Sequence, residues 1–254
     1  MSTVVKQDAH KPPGFFEAEA AGLRWLEAAG GARVVHVIDV GPGRIELERV
    51  AHAAPTREAA ADFGVALART HAAGAESFGA PPQGWDGPLF IGRRELPRVT
   101  GDAWGTFYSR ARVEPYLAPA VAAGHLTADE EALVRRACDV VAAGAFDDGA
   151  PPARIHGDLW AGNLLFDAHG AVLIDPAAHG GHAETDLAML SLFGAPHLEK
   201  ILAAYEEEAS LSEGWRERVP VHQLHPLAVH AAGHGRGYGV ALADAAQATL
   251  DLAD

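Results

Sequence analysis

The chain has 254 residues, of which 48% are hydrophobic, and a formal net charge of −14. This length can bury a substantial core in one large domain or two unequal lobes, and no internal repeat indicates a solenoid. Its twenty Lys and Arg residues are scattered among thirty-four acidic ones without a basic run, which argues against nucleic acid as a partner.

The cysteine content and the distribution of apolar residues predict the cellular compartment of the protein. One cysteine, Cys138, allows no disulfide within the chain and is interpreted as a small buried residue. The N-terminal sequence MSTVVKQDAHKPPG has no apolar stretch typical of a signal peptide, and no later segment approaches the ~20 apolar residues that span a bilayer. We expect a cytoplasmic protein without a membrane partner, and its oligomeric state stays open.

The first fifty residues predict a strand, a helix and a hairpin. TVVK, ending at Lys6, is typical of a short strand, and FFEAEAAGLRWLEAA at 15–29 places apolar residues on one stripe at helical spacing. VVHVIDV at 34–40 and RIELERV at 44–50 are joined by Gly-Pro-Gly at 41–43. These two runs predict an antiparallel hairpin.

After Pro55 helical patterns dominate. The sequence predicts helices within 57–74, 104–124 and 127–146, and a loop at 74–100 that is long enough to suggest a function. The fold class is therefore α+β, with a small sheet-bearing lobe at 1–53 and a mostly helical lobe at 54–254.

The C-terminal part adds a second hairpin and more helices. NLLF at 163–166 and AVLI at 171–174 predict two short strands joined by a turn at 167–170. From 184 to 252 the pattern predicts three or four helices, the last beginning near Val240.

The motif HGDLWAGN at 156–163 carries the predicted chemistry. Phosphoryl transfer needs a carboxylate that orients the attacking hydroxyl, an amide and a second carboxylate that hold Mg²⁺, and a lysine on the phosphates. Asp158 fits the base, Asn163 and Asp175 fit the metal ligands, and Lys6 fits the lysine. The sequence thus predicts a phosphotransferase.

The helix after Lys6 offers two candidates for its ion-pair partner. A glutamate of this helix normally fixes such a lysine, and Glu17 and Glu19 both lie there.

The histidines do not predict a zinc site. His230 and His234 have helical i, i+4 spacing, but no glutamate follows His230 in the HExxH order, so a zinc site is not expected.

With these motifs the chain resembles the fructosamine kinase (ketosamine-3-kinase) family, a branch of the aminoglycoside-phosphotransferase and protein-kinase-like fold. The resemblance implies a two-lobe kinase-like fold, ATP and Mg²⁺ as cofactors, and a small-molecule ketosamine as substrate. It also implies phosphorylation of the C3 hydroxyl of fructosyl- or ribulosyl-amines, after which the amine is released. The matching segments cover nearly the whole chain: FFEAEAAGLRWL, IELERV, WGTFYSRARVEPYL, HGDLWAGN, IDPAAHGGHAETDLAMLSLFG and HQLHPLAVHAAGHGRGY.

The resemblance also assigns roles residue by residue. It implies that Asp158 is the catalytic base, Asn163 and Asp175 are the metal ligands, and Glu19 is the ion-pair partner of Lys6. The remaining implied positions support or contact the substrates: Glu48 and Val50 at the adenine, Trp160 at the sugar, Asp186 as a brace of the catalytic loop through its backbone, and His156 as support within that loop.

Two departures from the family pattern leave alternatives open. The family places a glycine-containing hairpin ahead of the lysine strand, whereas five residues precede Lys6, so the expectation is a small lobe without that hairpin. His179 and Gly180 stand where the family carries tyrosines. The alternatives are a binding or regulatory pseudokinase and a phosphotransferase that acts on aminoglycosides or other amino-sugars.

Overall fold

A three-stranded antiparallel sheet and one helix form the N-terminal part of the fold. The computed structural model describes residues 2–253. Strand β1 (Thr3–Gln7) is followed by helix α1 (Phe15–Glu27), and β2 (Val37–Gly41) forms a hairpin with β3 (Arg44–Glu48). Because β1 pairs with the free edge of β3, the strand order is β1-β3-β2. The predicted strand, helix and hairpin are confirmed.

Helix α1 packs one face into the core. Phe16, Ala20, Leu23 and Leu26 are buried at the helical spacing that the sequence predicted. Gly30 and Gly31 follow the helix, and Gly30 adopts the left-handed conformation that ends the segment. The sequence pattern therefore set both the buried face and the end of this helix.

Helices make up most of the remaining chain. The last of them follows the turn at residues 232–234 and begins at Arg236, and not near Val240 as the pattern predicts. No helix within residues 2–253 has the length and apolar content needed to cross a bilayer. In chain order the helices are α2 (Arg57–Ala72), α3 (Trp104–Phe107), α4 (Leu117–Ala122), α5 (Ala128–Ala142), α6 (Ala183–Phe193), α7 (Leu198–Glu208), α8 (Val219–Ala231) and α9 (Arg236–Ala253).

The segment from Trp104 to Ala122 differs from the single helix that its pattern predicts. Helix α3 continues as a π-helix over Tyr108–Val113, then as a 3₁₀ turn over Glu114–Tyr116, and only then as α4. Pro115 lacks an amide hydrogen and its ring restricts the preceding residue, so a regular α-helix cannot run through this point.

Short paired strands lie between the helices of the C-terminal part of the chain. Strands β4 (Leu89–Ile91) and β5 (Arg94–Leu96) form a hairpin inside the long loop, which the sequence left unassigned. The predicted later hairpin is confirmed as β7 (Leu164–Asp167) and β8 (Gly170–Leu173). Strands β6 (Ala153–Ile155) and β9 (His179–Gly181) pair with each other, one before and one after this hairpin in the chain. The motif HGDLWAGN at 156–163 therefore begins directly after β6.

Two apolar clusters hold the molecule together. One lies among the helices of the C-terminal part and includes Cys138, whose burial is as expected and raises the pKa of its thiol to about 12. The other joins the N-terminal sheet and α1 to α2, α7 and the β7–β8 hairpin. Backbone contacts reinforce this second cluster: Val34 bridges Leu173, and the Ala53 amide donates to the Phe166 carbonyl. The lobe boundary near residue 53 stays a prediction, because the second core crosses it.

Helices α2 and α7 approach most closely at Gly64, which generates a testable prediction. A Cβ atom there would lie 2.2 Å from the Ile201 carbonyl oxygen. We expect Gly64→Ala to lower the free energy of unfolding by about 2–3 kcal/mol, because the two backbones must separate to admit a methyl group. Urea unfolding measures this change.

A second helical glycine provides the matched control. A Cβ atom at Gly237, in the first turn of α9, would meet no heavy atom within 4 Å. Gly237→Ala should therefore leave the protein equally stable or stabilise it by up to about 1 kcal/mol, since alanine favours the helix. Equal losses in both variants would contradict the close α2–α7 contact.

Candidate active site

The predicted catalytic residues converge on one cleft between the N-terminal sheet and the β7–β8 region. The cleft has a volume of about 600 Å³. Its wall contains six residues that the sequence singled out: Lys6, Glu19, Asp158, Trp160, Asn163 and Asp175. Residues separated by up to 169 positions in the chain therefore meet in one volume.

The glycine of the HGD motif is required by the path of the backbone. Gly157 has a φ of 79°, in the left-handed region that residues with a side chain rarely adopt. A Cβ atom there would lie 2.4 Å from the Ala177 carbonyl oxygen. The motif therefore places Asp158 at the end of a tight turn that only glycine can form.

A buried carboxylate fixes this turn from behind. Asp186, on α6, is fully buried and accepts hydrogen bonds from the His156 amide at 2.7 Å and the Gly157 amide at 3.0 Å. The Nε2 atom of His71 lies 3.1 Å from the same carboxylate, and its Nδ1 atom lies 2.7 Å from the Tyr205 hydroxyl. Burial alone would raise the pKa of Asp186, but the bonds from His71 and the loop amide lower it.

His156 connects the catalytic turn to the strand that carries Asp175. Its Nε2 atom lies 2.9 Å from the Ile174 carbonyl oxygen, and its Nδ1 atom accepts from the Asp158 amide at 3.2 Å. This arrangement requires the neutral ring with the proton on Nε2. Burial lowers the pKa of His156, which favours the same neutral form.

Asn163 holds Asp158 through its amide nitrogen. The Nδ2 atom donates to the Asp158 carbonyl at 2.8 Å and lies 3.2 Å from its carboxylate. Burial raises the pKa of Asp158 to about 7, and the neighbouring carboxylates of Asp175 and Asp186 add to the rise. A carboxyl group with a pKa near neutrality is suited to accept a proton from a hydroxyl group.

Lys6 bridges two carboxylates at the opposite wall. Its Nζ atom lies 2.8 Å from the Glu19 carboxylate and also forms an ion pair with Asp175. Burial opposes the charge of Lys6, but the two carboxylates outweigh that effect and raise its pKa. Glu19, the partner that the resemblance implied, and not Glu17 forms this ion pair.

Asp175 is held in an unusual backbone conformation. Its φ of 53° is one of two positive values among the non-glycine residues 2–253. This conformation costs on the order of 1–2 kcal/mol for a residue with a side chain. Asp175 follows β8 and lines the cleft, where its carboxylate forms an ion pair with Lys6.

Two predicted residues do not line the cleft, and three residues at the site were not predicted. Glu48, at the end of β3, and Val50 do not line the cleft, so their contact with adenine stays a prediction. Conversely, sequence reasoning missed His71 behind the loop, and Lys11 and Arg93 in the cleft wall. His71 lies in the last turn of α2 and belongs to no motif, so no local signal identified it.

Buried histidines pack around Glu184 and Trp104. Ligand atoms of His182, Glu184 and His222 lie within 4.8 Å of one another, as a metal site would require. However, Arg218 donates to both Glu184 oxygens, at 2.6 and 3.1 Å, and supplies the positive charge there. The rings of His182 and His222 also pack on Trp104, which completes a closed polar and aromatic network.

Comparisons with known proteins show the family of this chain. A sequence model of the fructosamine kinase family matches residues 2–251. The chain belongs to the fructosamine kinase family. A probable ketoamine kinase of Enterococcus faecium is 31% identical over 228 residues, which cover 89% of this chain and 79% of that protein. The mouse ketosamine-3-kinase is 32% identical over 147 residues, covering 56% and 46% of the two chains.

Solved structures confirm the kinase-like α+β fold of this fructosamine kinase family member. A crystal structure of a Thermobifida fusca protein assigned as a fructosamine-3-kinase superposes with a TM-score of 0.91 at 46% identity, covering 98% of this chain and 85% of that one. An aminoglycoside phosphotransferase, 16% identical with a TM-score of 0.61, covers 99% of this chain and 86% of its own and shares the fold alone. The predicted enzyme class, a phosphotransferase with a hydroxyl acceptor, is confirmed.

The Asp186 network predicts a large loss of stability on its removal. Asp186→Ala leaves two buried amides and the His71 ring without their acceptor, so we expect the free energy of unfolding to fall by about 3–5 kcal/mol. Asp244→Ala, an exposed carboxylate on α9, should change it by less than about 0.5 kcal/mol. Chemical unfolding of both variants tests this, and a small loss at Asp186 would show that the network contributes little.

Proposed function

We propose that the protein transfers the γ-phosphoryl group of ATP, as its Mg²⁺ complex, to the C3 hydroxyl of a ketosamine. The main support for this proposal is that one cleft is lined by Asp158, Asn163, Asp175 and Lys6, which supply the groups that phosphoryl transfer requires. Fructosyl- and ribulosyl-amines are the proposed acceptors, in keeping with the relatives named as ketoamine and ketosamine-3-kinases.

Asp158 is the proposed catalytic base. Its carboxylate lines the cleft, and its backbone is fixed by Asn163 on one side and His156 on the other. In this role it accepts a hydrogen bond from the acceptor hydroxyl, orients the oxygen toward the phosphorus and takes the proton as the new P–O bond forms. The exposed Trp160 ring, in the same wall, is the proposed support for the sugar.

The residues present fit a magnesium ion. Asn163 uses its Nδ2 atom to bind Asp158, which leaves its Oδ1 atom as a free acceptor. Asp175 contributes a half-exposed carboxylate beside it, and Mg²⁺ prefers such oxygen ligands. We propose that these two residues hold the ion, which when bound neutralises charge that develops on the phosphates.

Lys6 and Glu19 are the proposed phosphate-binding pair. Glu19 orients the Lys6 ammonium group, which would contact the α- and β-phosphates while Asp175 turns to the metal. We further propose a small lobe over residues 1–53, which carries this pair and the adenine contacts Glu48 and Val50, and a helical lobe over 54–254, which carries the remaining groups.

Replacement of the base tests the proposal directly. Asp158→Asn keeps the size of the side chain but removes the proton acceptor, so we expect turnover to fall by about 100- to 10,000-fold. Wild-type protein incubated with ATP, Mg²⁺ and fructosyl-lysine or ribulosyl-lysine should yield a phosphorylated product detectable by mass spectrometry. The unfolding midpoint of the variant should remain close to that of the wild type.

The matched control is Asp244→Asn, which makes the same chemical change at an exposed site on α9 and should retain full turnover. Full activity of Asp158→Asn would contradict the assignment of the base. Absence of a phosphorylated product from the wild type, with every acceptor tried, would contradict the proposed reaction itself.

A further inference from the structure

Two basic side chains in the cleft wall have no role in the proposed transfer. Lys11 lies in the loop between β1 and α1, and Arg93 lies at the tip of the β4–β5 hairpin. Both line the same cleft as Lys6 and Asp158. They therefore face the volume that holds the reacting groups, although they come from different parts of the chain.

Within the described residues, these two cations differ from Lys6 because neither forms an ion pair with a carboxylate. Within residues 2–253, no carboxylate lies within 4.0 Å of the Lys11 or Arg93 side chain, whereas Lys6 has two such partners. The other arginines of the hairpin region are engaged, since Arg94 donates to the Ala232 carbonyl and Arg98 to the Asp86 carbonyl. Arg93 is exposed, and Lys11 is half-buried.

An aromatic contact joins the start of α1, next to Lys11, to the β4–β5 hairpin that carries Arg93. The Lys11 ammonium group lies 3.7 Å from the centre of the Phe15 ring, and Phe15 contacts Phe90 at a centroid distance of 5.2 Å. Partial burial lowers the pKa of Lys11, and the nearby charge of Arg93 lowers it further, while Asp8, Glu19 and Asp175 offset part of the effect. Two positive charges in one cleft wall favour a bound anion there.

We propose that Lys11 and Arg93 form a subsite for a carboxylate on the amine part of the acceptor, an inference that rests on the proposed function. A ketosamine derived from an amino acid carries such a carboxylate, and charge-assisted hydrogen bonds from lysine and arginine would bind it. In a chain with a net charge of −14, an anionic acceptor needs cations of this kind at the cleft.

The lining of the cleft beside the two cations favours the acceptor as their ligand. Both substrates meet in this cleft, because Asp158, the proposed contact of the acceptor hydroxyl, and Lys6, the proposed contact of the phosphates, line it, and Lys6 already supplies a cation for the phosphates. Phe15 and Phe90 add an apolar surface in the same wall, which suits the carbon chain of an amino acid and not a polyphosphate.

Matched acceptors that differ by one charge test the inference. The first pair is Nα-acetyl-Nε-fructosyl-lysine and its carboxamide, and the second is the shorter fructosyl-4-aminobutyrate and its carboxamide. We expect the wild type to use the acid of at least one pair with a kcat/KM about tenfold higher than the amide, the effect of a charge-assisted contact. The difference should lie mainly in KM, since it reflects binding.

Variants connect the preference to these residues. The double variant Lys11→Gln, Arg93→Gln should bring the acid-to-amide ratio close to one, whereas Arg136→Gln, an exposed arginine on α5 outside the cleft, should keep the wild-type ratio. A raised KM for ATP with an unchanged ratio would show that the two cations bind phosphate, and would overturn the inference.

The remaining outcomes separate this inference from the proposed function. Equal use of acid and amide in both pairs by the wild type contradicts the carboxylate subsite alone, because the transfer itself then stands. Phosphorylation of none of the four compounds contradicts the proposed function and the subsite together.

Discussion

The buried carboxylate of Asp186 is the interaction on which the rest of the site depends. A carboxylate without solvent is costly, and the cost is offset here by two backbone amides of the catalytic turn and by His71. Because these donors come from α2 and from the loop after β6, one side chain of α6 connects three segments. The turn that presents Asp158 is therefore fixed from its buried side, and the open side remains free for substrates.

Opposite charges are balanced locally across the cleft. Lys6 stands between Glu19 and Asp175, so that each carboxylate faces a cation although the chain as a whole is strongly acidic. Asp158 has no cationic partner within residues 2–253 and is held by the amide of Asn163 instead. Burial and the neighbouring carboxylates raise the pKa of Asp158. Burial of Lys6 lowers its pKa, but the carboxylates of Glu19 and Asp175 outweigh that effect and raise it.

Much of the fold could be predicted from the sequence because its signals are local. Helix α1 and the β2–β3 and β7–β8 hairpins follow from apolar spacing and from turn residues, and the structure confirms them. The interruption of the helix at 108–116 and the pairing of β6 with β9 were missed. The first arises from a proline inside an otherwise helical pattern, and the second joins strands of three residues, which are too short to leave a periodic signal.

The sequence by itself determined which reacting groups are proposed, since Asp158, Asn163 and Asp175 lie in motifs whose residue types and order phosphoryl transfer demands. Only the tertiary structure decided which side chains support them. Spacing leaves both Glu17 and Glu19 open as partners of Lys6, the family resemblance implied Glu19, and the fold brings the Glu19 carboxylate to the Lys6 ammonium group. His71 carries no local signal, because its partner is 115 positions away and the two meet only when α2 packs behind the catalytic turn. Long-range contacts of this kind depend on the folded core and not on spacing along the chain.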